Sequence, residues 1–235
     1  MTSNQAEEIA TYILLGMTAV TGLVDAVSFL ALGRIFTANM TGNIVFLAFA
    51  TARVPGLSMI LSSAALVWFL IGAVLGGRIM SRASSDSHIR LRFAAQAFLL
   101  EVLFLTAASL CAIGYTGDVT EPSVRLLALI ALTALAMGTR NAAVRKLAIP
   151  DVTTTVLTLT LTAIAADSSL ANGNNVRLVK RVSAVLAMFS GAALGAVVVS
   201  YSVAAALGLA AAISALCNAA LVSVAATRPM SADAK

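Results

Sequence analysis

Long apolar runs separated by short polar gaps dominate the chain. A membrane-spanning helix needs about 20 mostly apolar residues to cross a hydrocarbon core of about 30 Å. Six runs meet this length, at residues 10–32, 57–80, 93–115, 124–147, 182–203 and 204–227. The pattern predicts an all-α polytopic membrane protein with about six full transmembrane helices.

Two further apolar runs, at residues 37–52 and 152–166, are too short to span. At 1.5 Å per residue, a 16-residue helix covers only about 24 Å. Both runs begin with polar residues, namely Thr37, Asn39, Thr41 and Asn43 in the first and Thr153, Thr154 and Thr155 in the second. Such segments are candidates for re-entrant helices. The alternation of Thr158, Thr160 and Thr162 with leucine is the pattern of a β-strand. Lipid cannot hydrogen-bond the unpaired backbone groups of an open strand, so we predict a helix.

The basic residues indicate how the spans are oriented. The gap at 81–92 holds Arg82, Arg90 and Arg92, and the gap at 167–181 holds Arg177, Lys180 and Arg181. Because cytoplasmic gaps are enriched in Lys and Arg, both gaps are predicted to be cytoplasmic. Residues 152–166 must then re-enter, both termini lie in the cytoplasm, and Arg34 and Arg53 remain as exceptions on the outer side. The alternative is seven or eight spans with a weak charge bias.

The same order of elements occurs twice within what we predict to be one integral membrane domain, 1–235, that ends in a short polar tail, 228–235. Residues 10–115 and 124–227 each contain a long helix, a short polar-started segment and two long helices. Matching positions lie about 116–119 residues apart, as in Gly22 with Gly138, Asp25 with Asn141, Gly72 with Gly191 and Gly76 with Gly195. Three crossings per half would make the repeat inverted, an arrangement found in many secondary transporters. Equal spacing of apolar runs would produce part of this similarity on its own.

Composition excludes a water-soluble domain and a disordered chain. The 235 residues are 60% apolar and 11% charged, with a mean hydropathy of +0.98, whereas soluble domains are roughly 45–50% apolar and about 25% charged. The net charge of +5 is explained by orientation in the membrane, so no nucleic-acid partner is expected. The expected partners are the lipid bilayer and a small-molecule solute, and a homo-oligomer is compatible with the sequence.

Neither a metal site nor a cofactor is expected. Cys111 and Cys217 lie far apart within apolar runs and have no ligand spacing. The single histidine, His88, lies in a basic loop. Glu7 and Glu8 occupy the N-terminal region without a nearby Lys or Arg, which is the wrong charge for a cleaved signal peptide.

Three charged residues lie inside apolar runs, where each is costly unless it is paired or hydrated. Asp25 follows Thr18, Thr21 and Gly22 and precedes Ser28, so one helix face is polar; the alternative role for this face is helix packing. Glu101 lies near mid-helix, where it is either protonated or paired with a cation. Arg140 is the obvious cation, and the alternative is that its side chain snorkels towards Arg145 and Lys146.

The first short segment offers a second kind of site. The N-terminus of a half-helix presents free backbone donors and a partial positive charge, which suit an anion or a polar solute. The alternative is an ordinary N-cap at the membrane surface. The predicted substrate or proton pathway comprises Asp25, Ser28, Asn39, Thr41, Asn43, Glu101, Arg140 and Asn141.

Two signatures resemble one family. Residues 21–30 and 36–43 closely resemble the YoaK-like family of multi-pass bacterial inner-membrane proteins, and Gly138, residues 141–143 and the run Thr153–Thr155 resemble its second signature. The resemblance covers nearly the whole chain and implies a multi-pass inner-membrane protein with a domain of unknown function. The chain departs from the family pattern at Arg140, where the family usually has Gln, and at Thr158–Leu159, where it usually has Thr-Gly.

Three functions fit the sequence to different degrees. The intramembrane carboxylates and paired short segments favour a transporter or channel for a small polar or anionic solute, with proton coupling as an option. A structural or assembly subunit is the alternative, because Gly72 with Gly76 and Gly191 with Gly195 have the spacing of close helix packing. We expect no enzymatic activity, since no catalytic motif or ligand cluster occurs in the sequence.

Overall fold

The computed structural model describes residues 3–83, 87–119, 121–147, 157–175 and 177–226. Within them the α-helices are α1 (Ser3–Ala31), α2 (Met40–Thr51), α3 (Met59–Met80), α4 (Ser87–Cys111), α5 (Val124–Leu147), α6 (Leu157–Ala166), α7 (Leu178–Val199) and α8 (Val203–Ala226). A short 3-10 helix, Ser169–Ala171, follows α6. The protein is an all-α polytopic membrane protein, as the sequence predicts.

Six of the helices are long and apolar enough to cross a membrane. They are α1, through its segment Thr11–Ala31, together with α3, α4, α5, α7 and α8. In contrast, α2 has 12 residues and α6 has 10, so they rise only about 18 and 15 Å. Residues 152–156 of the second predicted short segment, with Thr153, Thr154 and Thr155, lie outside the described residues.

Glycines bring helices from the two halves of the chain into close contact. A Cβ atom on Gly191 of α7 would lie 1.9 Å from the Ala19 carbonyl oxygen of α1, and one on Gly22 would lie 2.2 Å from the Met188 carbonyl oxygen. In the same way, a Cβ on Gly72 of α3 would lie 2.4 Å from the Leu135 carbonyl oxygen of α5, and one on Gly138 would lie 2.1 Å from that of Phe69. Both pairs run parallel, and only glycine allows such backbone approach.

Contacts at one end of the bundle, which we call the Tyr115 end, show how the helices are oriented. Here the Tyr115 hydroxyl, just after α4, donates to the carbonyl of Ala31 at the end of α1 (3.2 Å). The Ser109 hydroxyl near the end of α4 donates to the carbonyl of Ala204 at the start of α8 (2.8 Å). Thus α1, α4 and α7 end at the Tyr115 end, and α3, α5 and α8 begin there. The opposite end, where α5 ends, is called the Arg145 end.

Each short helix lies between two long helices that meet at one end of the bundle. Gly33 after α1 lies against Leu61 of α3, and Arg34 lies beside Gly56 just before α3, so the chain from 34 to 56 starts and finishes at the Tyr115 end. The end of α5 at Leu147 and the start of α7 at Leu178 likewise lie together at the Arg145 end, because α7 runs parallel to α1. This arrangement is the one expected of a bundle with six crossing helices and two short helices that do not cross.

Serine caps define where the helices begin at the Tyr115 end. Ser58 accepts a hydrogen bond from the Leu61 amide (3.3 Å), Ser123 from the Leu126 amide (3.1 Å) and Ser202 from the Ala205 amide (3.2 Å). These side chains satisfy backbone donors that the first turn of a helix leaves free. Each of α3, α5 and α8 thus begins at a cap that the sequence encodes.

The end of α4 differs from the prediction of residues 93–115. The helix ends at Cys111, and Gly114 follows with a φ of +72°. The Arg125 guanidinium donates from Nε to the Cys111 carbonyl (2.7 Å) and also binds the carbonyl of Ile113. A cation on the last carbonyls stabilises a helix C-terminus. Arg125 is thus a third basic residue at the Tyr115 end, beside Arg34 and Arg53, and it has a structural task there.

Two apolar cores fill the bundle, and a polar layer lies between them. The core nearer the Tyr115 end includes Leu105 of α4 and Met137 of α5, whereas the core nearer the Arg145 end includes Phe98 of α4 and Ala143 of α5. Between these positions both helices bury a charged residue. The fold therefore places a polar layer at the middle of the bundle.

Candidate functional site in the bundle interior

The polar face predicted on α1 is present and buried. Along it the hydroxyl of Thr18 donates to the carbonyl of Leu14 (2.8 Å), that of Thr21 to Met17 (3.1 Å) and that of Ser28 to Asp25 (3.1 Å). Such bonds to the preceding turn allow hydroxyl groups to be buried in a helix. The face carries two separate polar clusters, one at Asp25 and one at Thr21.

The Asp25 cluster holds the chain that leads into α2. The Oδ1 atom of Asp25 accepts from the amides of Thr37 (3.2 Å) and Ala38 (3.0 Å), and its Oδ2 atom accepts from the side-chain amide of Asn39. The helix was predicted to begin at Thr37 but begins at Met40, so these backbone donors lie just before its first turn. The structure places the protein's own carboxylate on them, so Asp25 and Asn39 form an internal anchor for the short helix.

Asn43 also holds the segment that leads into α2. Its Oδ1 atom accepts from the Phe36 amide (2.8 Å), and its Nδ2 atom donates to the Phe36 carbonyl. Both backbone polar groups of Phe36 are therefore satisfied, which a non-helical segment inside a membrane requires. The Phe36 ring also stacks on those of Phe29 (5.4 Å between centroids) and Phe46 (5.8 Å).

The second cluster is a buried ion pair between α4 and α5. Arg140 Nη1 lies 2.9 Å from Glu101 Oε1, and both side chains are 0% exposed. Nη1 also donates to the Met17 carbonyl (3.1 Å), and Nη2 donates to the hydroxyl of Thr21 (2.6 Å). Ser214 of α8 donates to the same Glu101 oxygen (3.0 Å). Four helices thus contribute to one polar network.

The direction of the Arg140 side chain decides between its two predicted roles. Side chains on an α-helix point towards its N-terminus, and the N-terminus of α5 lies at the Tyr115 end. Arg140 therefore extends back past Met137, whose sulfur lies 3.1 Å from Nη2, and away from Arg145 and Lys146. The snorkelling alternative is wrong, and the predicted pairing with Glu101 is present.

The ion pair leaves two polar atoms without partners among the described residues. Glu101 Oε2 and Arg140 Nε are both buried and make no hydrogen bond there. The pair is joined by one oxygen and one nitrogen, whereas a carboxylate and a guanidinium can form two parallel hydrogen bonds. One acceptor and one donor on opposite charges are therefore available inside the bundle.

The network lies at the middle of the membrane-spanning layer. Glu101, Thr21 and Ser214 each fall near the midpoint of their spans, Ile89–Cys111, Thr11–Ala31 and Val203–Ala226. Charged groups at this depth are rare, and they commonly mark a pathway for ions, protons or solutes.

The remaining predicted residues are placed outside this network. Thr41 is exposed on α2, and Ser28 bonds within its own helix. Asn141 is half-buried, and its side chain projects about 100° around α5 from that of Arg140. Of the eight predicted residues, Asp25, Asn39 and Asn43 gather at the entry to α2, while Glu101 and Arg140 pair at the midplane.

The prediction missed two polar residues of α8. Ser214 binds Glu101, and Asn218 is buried one turn further along, with its Oδ1 atom unpartnered within the described residues. Their spacing of four residues inside an apolar helix puts both on one face. That spacing could have identified both residues from the sequence.

Comparison with known proteins identifies the family of the chain. Residues 13–220 match a family described as a protein of unknown function, DUF1275. The chain belongs to the DUF1275 family. It is also 35% identical over 159 residues to the UPF0700 transmembrane protein YoaK of Bacillus subtilis (strain 168). That alignment covers 66% of this chain and 65% of the relative, which is less than two thirds of the relative's length. No solved structure matches the chain. The resemblance to YoaK-like membrane proteins is thereby confirmed for this DUF1275 member.

Proposed function

We propose that the protein is a transporter for a small polar or anionic solute, with the Glu101–Arg140 pair as its interior binding site. The observation that carries this proposal is the burial of both charges at the midplane, with one polar atom of each unpartnered within the described residues. The proposal assigns no enzymatic activity and no cofactor to the chain.

The position of Arg140 between two helix pairs supports transport. The pairs α1/α7 and α3/α5 are tightly packed through glycine, whereas α1 and α5 touch each other little. Arg140 bridges this weak contact through Met17 and Thr21. A bundle that opens between the two pairs would expose the buried charges, and alternating opening of this kind is how transporters with repeated halves work.

The internal repeat is part of the same proposal. The contact of Gly22 with Met188 has its counterpart in that of Gly138 with Phe69, and the two contacts are related by offsets of 116 and 119 residues. The halves enter the bundle from opposite ends, so the repeat 10–115 and 124–227 would be inverted. Inverted repeats that meet at a midplane site are typical of secondary transporters.

The charge distribution supports an orientation in the bacterial inner membrane. The Arg145 end carries most of the basic residues, namely Arg78, Arg82, Arg90, Arg92, Arg145, Lys146, Arg177, Lys180 and Arg181. By the enrichment of Lys and Arg in cytoplasmic loops, this end faces the cytoplasm, together with both termini.

Solute uptake into liposomes tests the proposed function. Purified protein would be reconstituted and supplied with labelled succinate, phosphate, lactate or glutamate, with and without an inward proton gradient. We expect at least one solute to accumulate, and Glu101→Gln to lower its proton-driven accumulation at least about tenfold, because the midplane carboxylate is lost. Glu121→Gln, which makes the same chemical change at an exposed site, serves as the control.

The structural-subunit alternative predicts a different result. If uptake of all four solutes equals that of protein-free liposomes, while Glu101→Gln lowers only the thermal stability, the polar network serves to lock helices together and the transport proposal fails.

A further inference from the structure

We propose that a small monovalent anion replaces Glu101 on Arg140 when Glu101 takes up a proton, so that one proton and one anion move together. This inference rests on the proposed transport function and specifies both its substrate class and its coupling. It uses the two atoms of the ion pair, Glu101 Oε2 and Arg140 Nε, that have no partner among the described residues.

The first step is the addition of a proton to Glu101. Its Oε1 atom already accepts from Arg140 and Ser214, whereas Oε2 is buried with no partner among the described residues. A proton can therefore add at Oε2 without displacing an existing hydrogen bond. The product is a neutral carboxylic acid with Ser214 still within reach of Oε1.

The second step follows from the charge that remains on Arg140. A guanidinium stays protonated in proteins, and a buried charge without a counter-ion is strongly unfavourable. Arg140 keeps its hydrogen bonds to Met17 and Thr21, but its positive charge is no longer neutralised. A carboxylate or a similar small anion can bind there, with Nε as an additional donor.

The exchange leaves the interior charge unchanged. Glu101 gains one proton, Arg140 gains one anion, and no covalent bond other than the O–H bond is formed or broken. The pair and its bound anion are neutral in total, as the original ion pair is. Movement across the membrane core in this loaded state therefore avoids carrying net charge. A monovalent anion fits this balance, whereas a divalent anion would leave one excess negative charge.

Other charged or titratable groups near the pair do not supply the same switch. Asp25 of α1 is held by Thr37, Ala38 and Asn39. From α8, Cys217 faces the pair, with its sulfur beside Gly16 of α1. From α3, which also packs on α4, Arg78 is exposed at the Arg145 end. Glu101 is thus the acid that directly neutralises Arg140.

Thermal unfolding of the purified protein tests the exchange without requiring flux. The midpoint Tm would be measured in sodium formate, nitrate or lactate, with sodium gluconate as a bulkier anion at equal ionic strength. Glu101→Gln resembles the protonated carboxyl group, so we expect formate, nitrate or lactate to raise its Tm at pH 7.5 by at least about 3 °C relative to gluconate. The wild type should show a larger rise at pH 5 than at pH 7.5, because a higher proton concentration favours the protonated Glu101 that the anion requires. Glu121→Gln should behave as the wild type does.

Arg140→Gln keeps the test decisive if Glu101→Gln fails to fold. The wild-type rise at pH 5 should be absent in Arg140→Gln, because the cation that binds the anion is removed. The inference is overturned if none of the three anions raises the wild-type Tm at pH 5, or if Arg140→Gln retains the rise. Uptake in liposomes without anion-dependent stabilisation would leave the transport function intact and refute the exchange at Arg140.

Discussion

Asp25 binds the backbone amides of Thr37 and Ala38 and the side-chain amide of Asn39, so its carboxylate anchors the chain just before α2. Nothing in the local sequence around Asp25 indicates those partners, which lie twelve to fourteen residues further along the chain. The sequence showed that a charge inside an apolar run needs a partner. It could not show that the partner is backbone, because that depends on how the chain from Leu32 to Asn39 folds back.

Replacing Asp25 with Asn should destabilise the protein. The new side chain has one oxygen and one NH2 group. Its NH2 group must therefore point at N–H donors that a carboxylate oxygen satisfies in the wild type. We expect a loss of about 1–3 kcal/mol, seen as a fall in Tm of roughly 2–10 °C. Asp118→Asn, at an exposed site of the Tyr115 end, is the control. Equal Tm values for the two variants would contradict the anchor role.

The Glu101–Arg140 pair should show strong energetic coupling. Glu101→Leu or Arg140→Met alone leaves one uncompensated buried charge, which costs about 3–5 kcal/mol. The double variant leaves no charge, and we expect it to recover most of that loss, because apolar replacements of buried ion pairs are often neutral. Thermal unfolding of all four proteins measures the coupling. Additive losses would show that the two side chains are independent.

At the scale of helices, the apolar runs predicted the elements well and their ends less well. Apolar length and the serines before α3, α5 and α8 are local features, so the sequence shows them. The end of α4 depends on Arg125, which reaches it from α5, and this tertiary contact moves the boundary from residue 115 to Cys111. The glycine spacing in α3 and α7 predicted close packing, although it did not identify the partner helices.

Two adjacent glycines of α3 provide a matched test of helix packing. A Cβ on Gly76 would lie 2.3 Å from the Thr139 carbonyl oxygen of α5, whereas nothing lies within 4 Å of one on Gly77. We expect Gly76→Ala to lower stability by about 1–3 kcal/mol, as overpacking does. Gly77→Ala should be neutral or stabilising by up to about 1 kcal/mol, because alanine favours the helix. Thermal unfolding in detergent measures both, and equal effects would refute the α3/α5 contact.

At the scale of the whole molecule, the charge pattern predicted re-entrant short segments, and the fold brings both flanks of each segment to one end of the bundle. The sequence could not show which long helices pair. Parallel packing of α1 on α7 and of α3 on α5 is decided by surface shape across more than forty residues of intervening chain, and hydrophobic periodicity carries no information about it.

Labelling of single cysteines tests this topology in cells. Cysteines would replace Arg34, Val54, Lys146 or Asn174, all exposed, in a variant without Cys111 and Cys217. We expect an impermeant thiol reagent to label Arg34→Cys and Val54→Cys from outside intact cells, and the other two only after permeabilisation. Labelling of Arg34→Cys and Val54→Cys from opposite sides would show that α2 crosses the membrane.

The parallel glycine contacts also have a consequence for biosynthesis. The ribosome completes α1 about 150 residues before it begins α7. At about 5–20 residues per second, this corresponds to roughly 8–30 s. During this interval Gly22, which packs against Met188 of α7, and Gly16, which lies beside Cys217 of α8, lack the helices that cover them in the finished bundle. The first half therefore cannot complete its helix packing until the second half has been synthesised. Separately expressed halves should accumulate only when both are present in the same membrane.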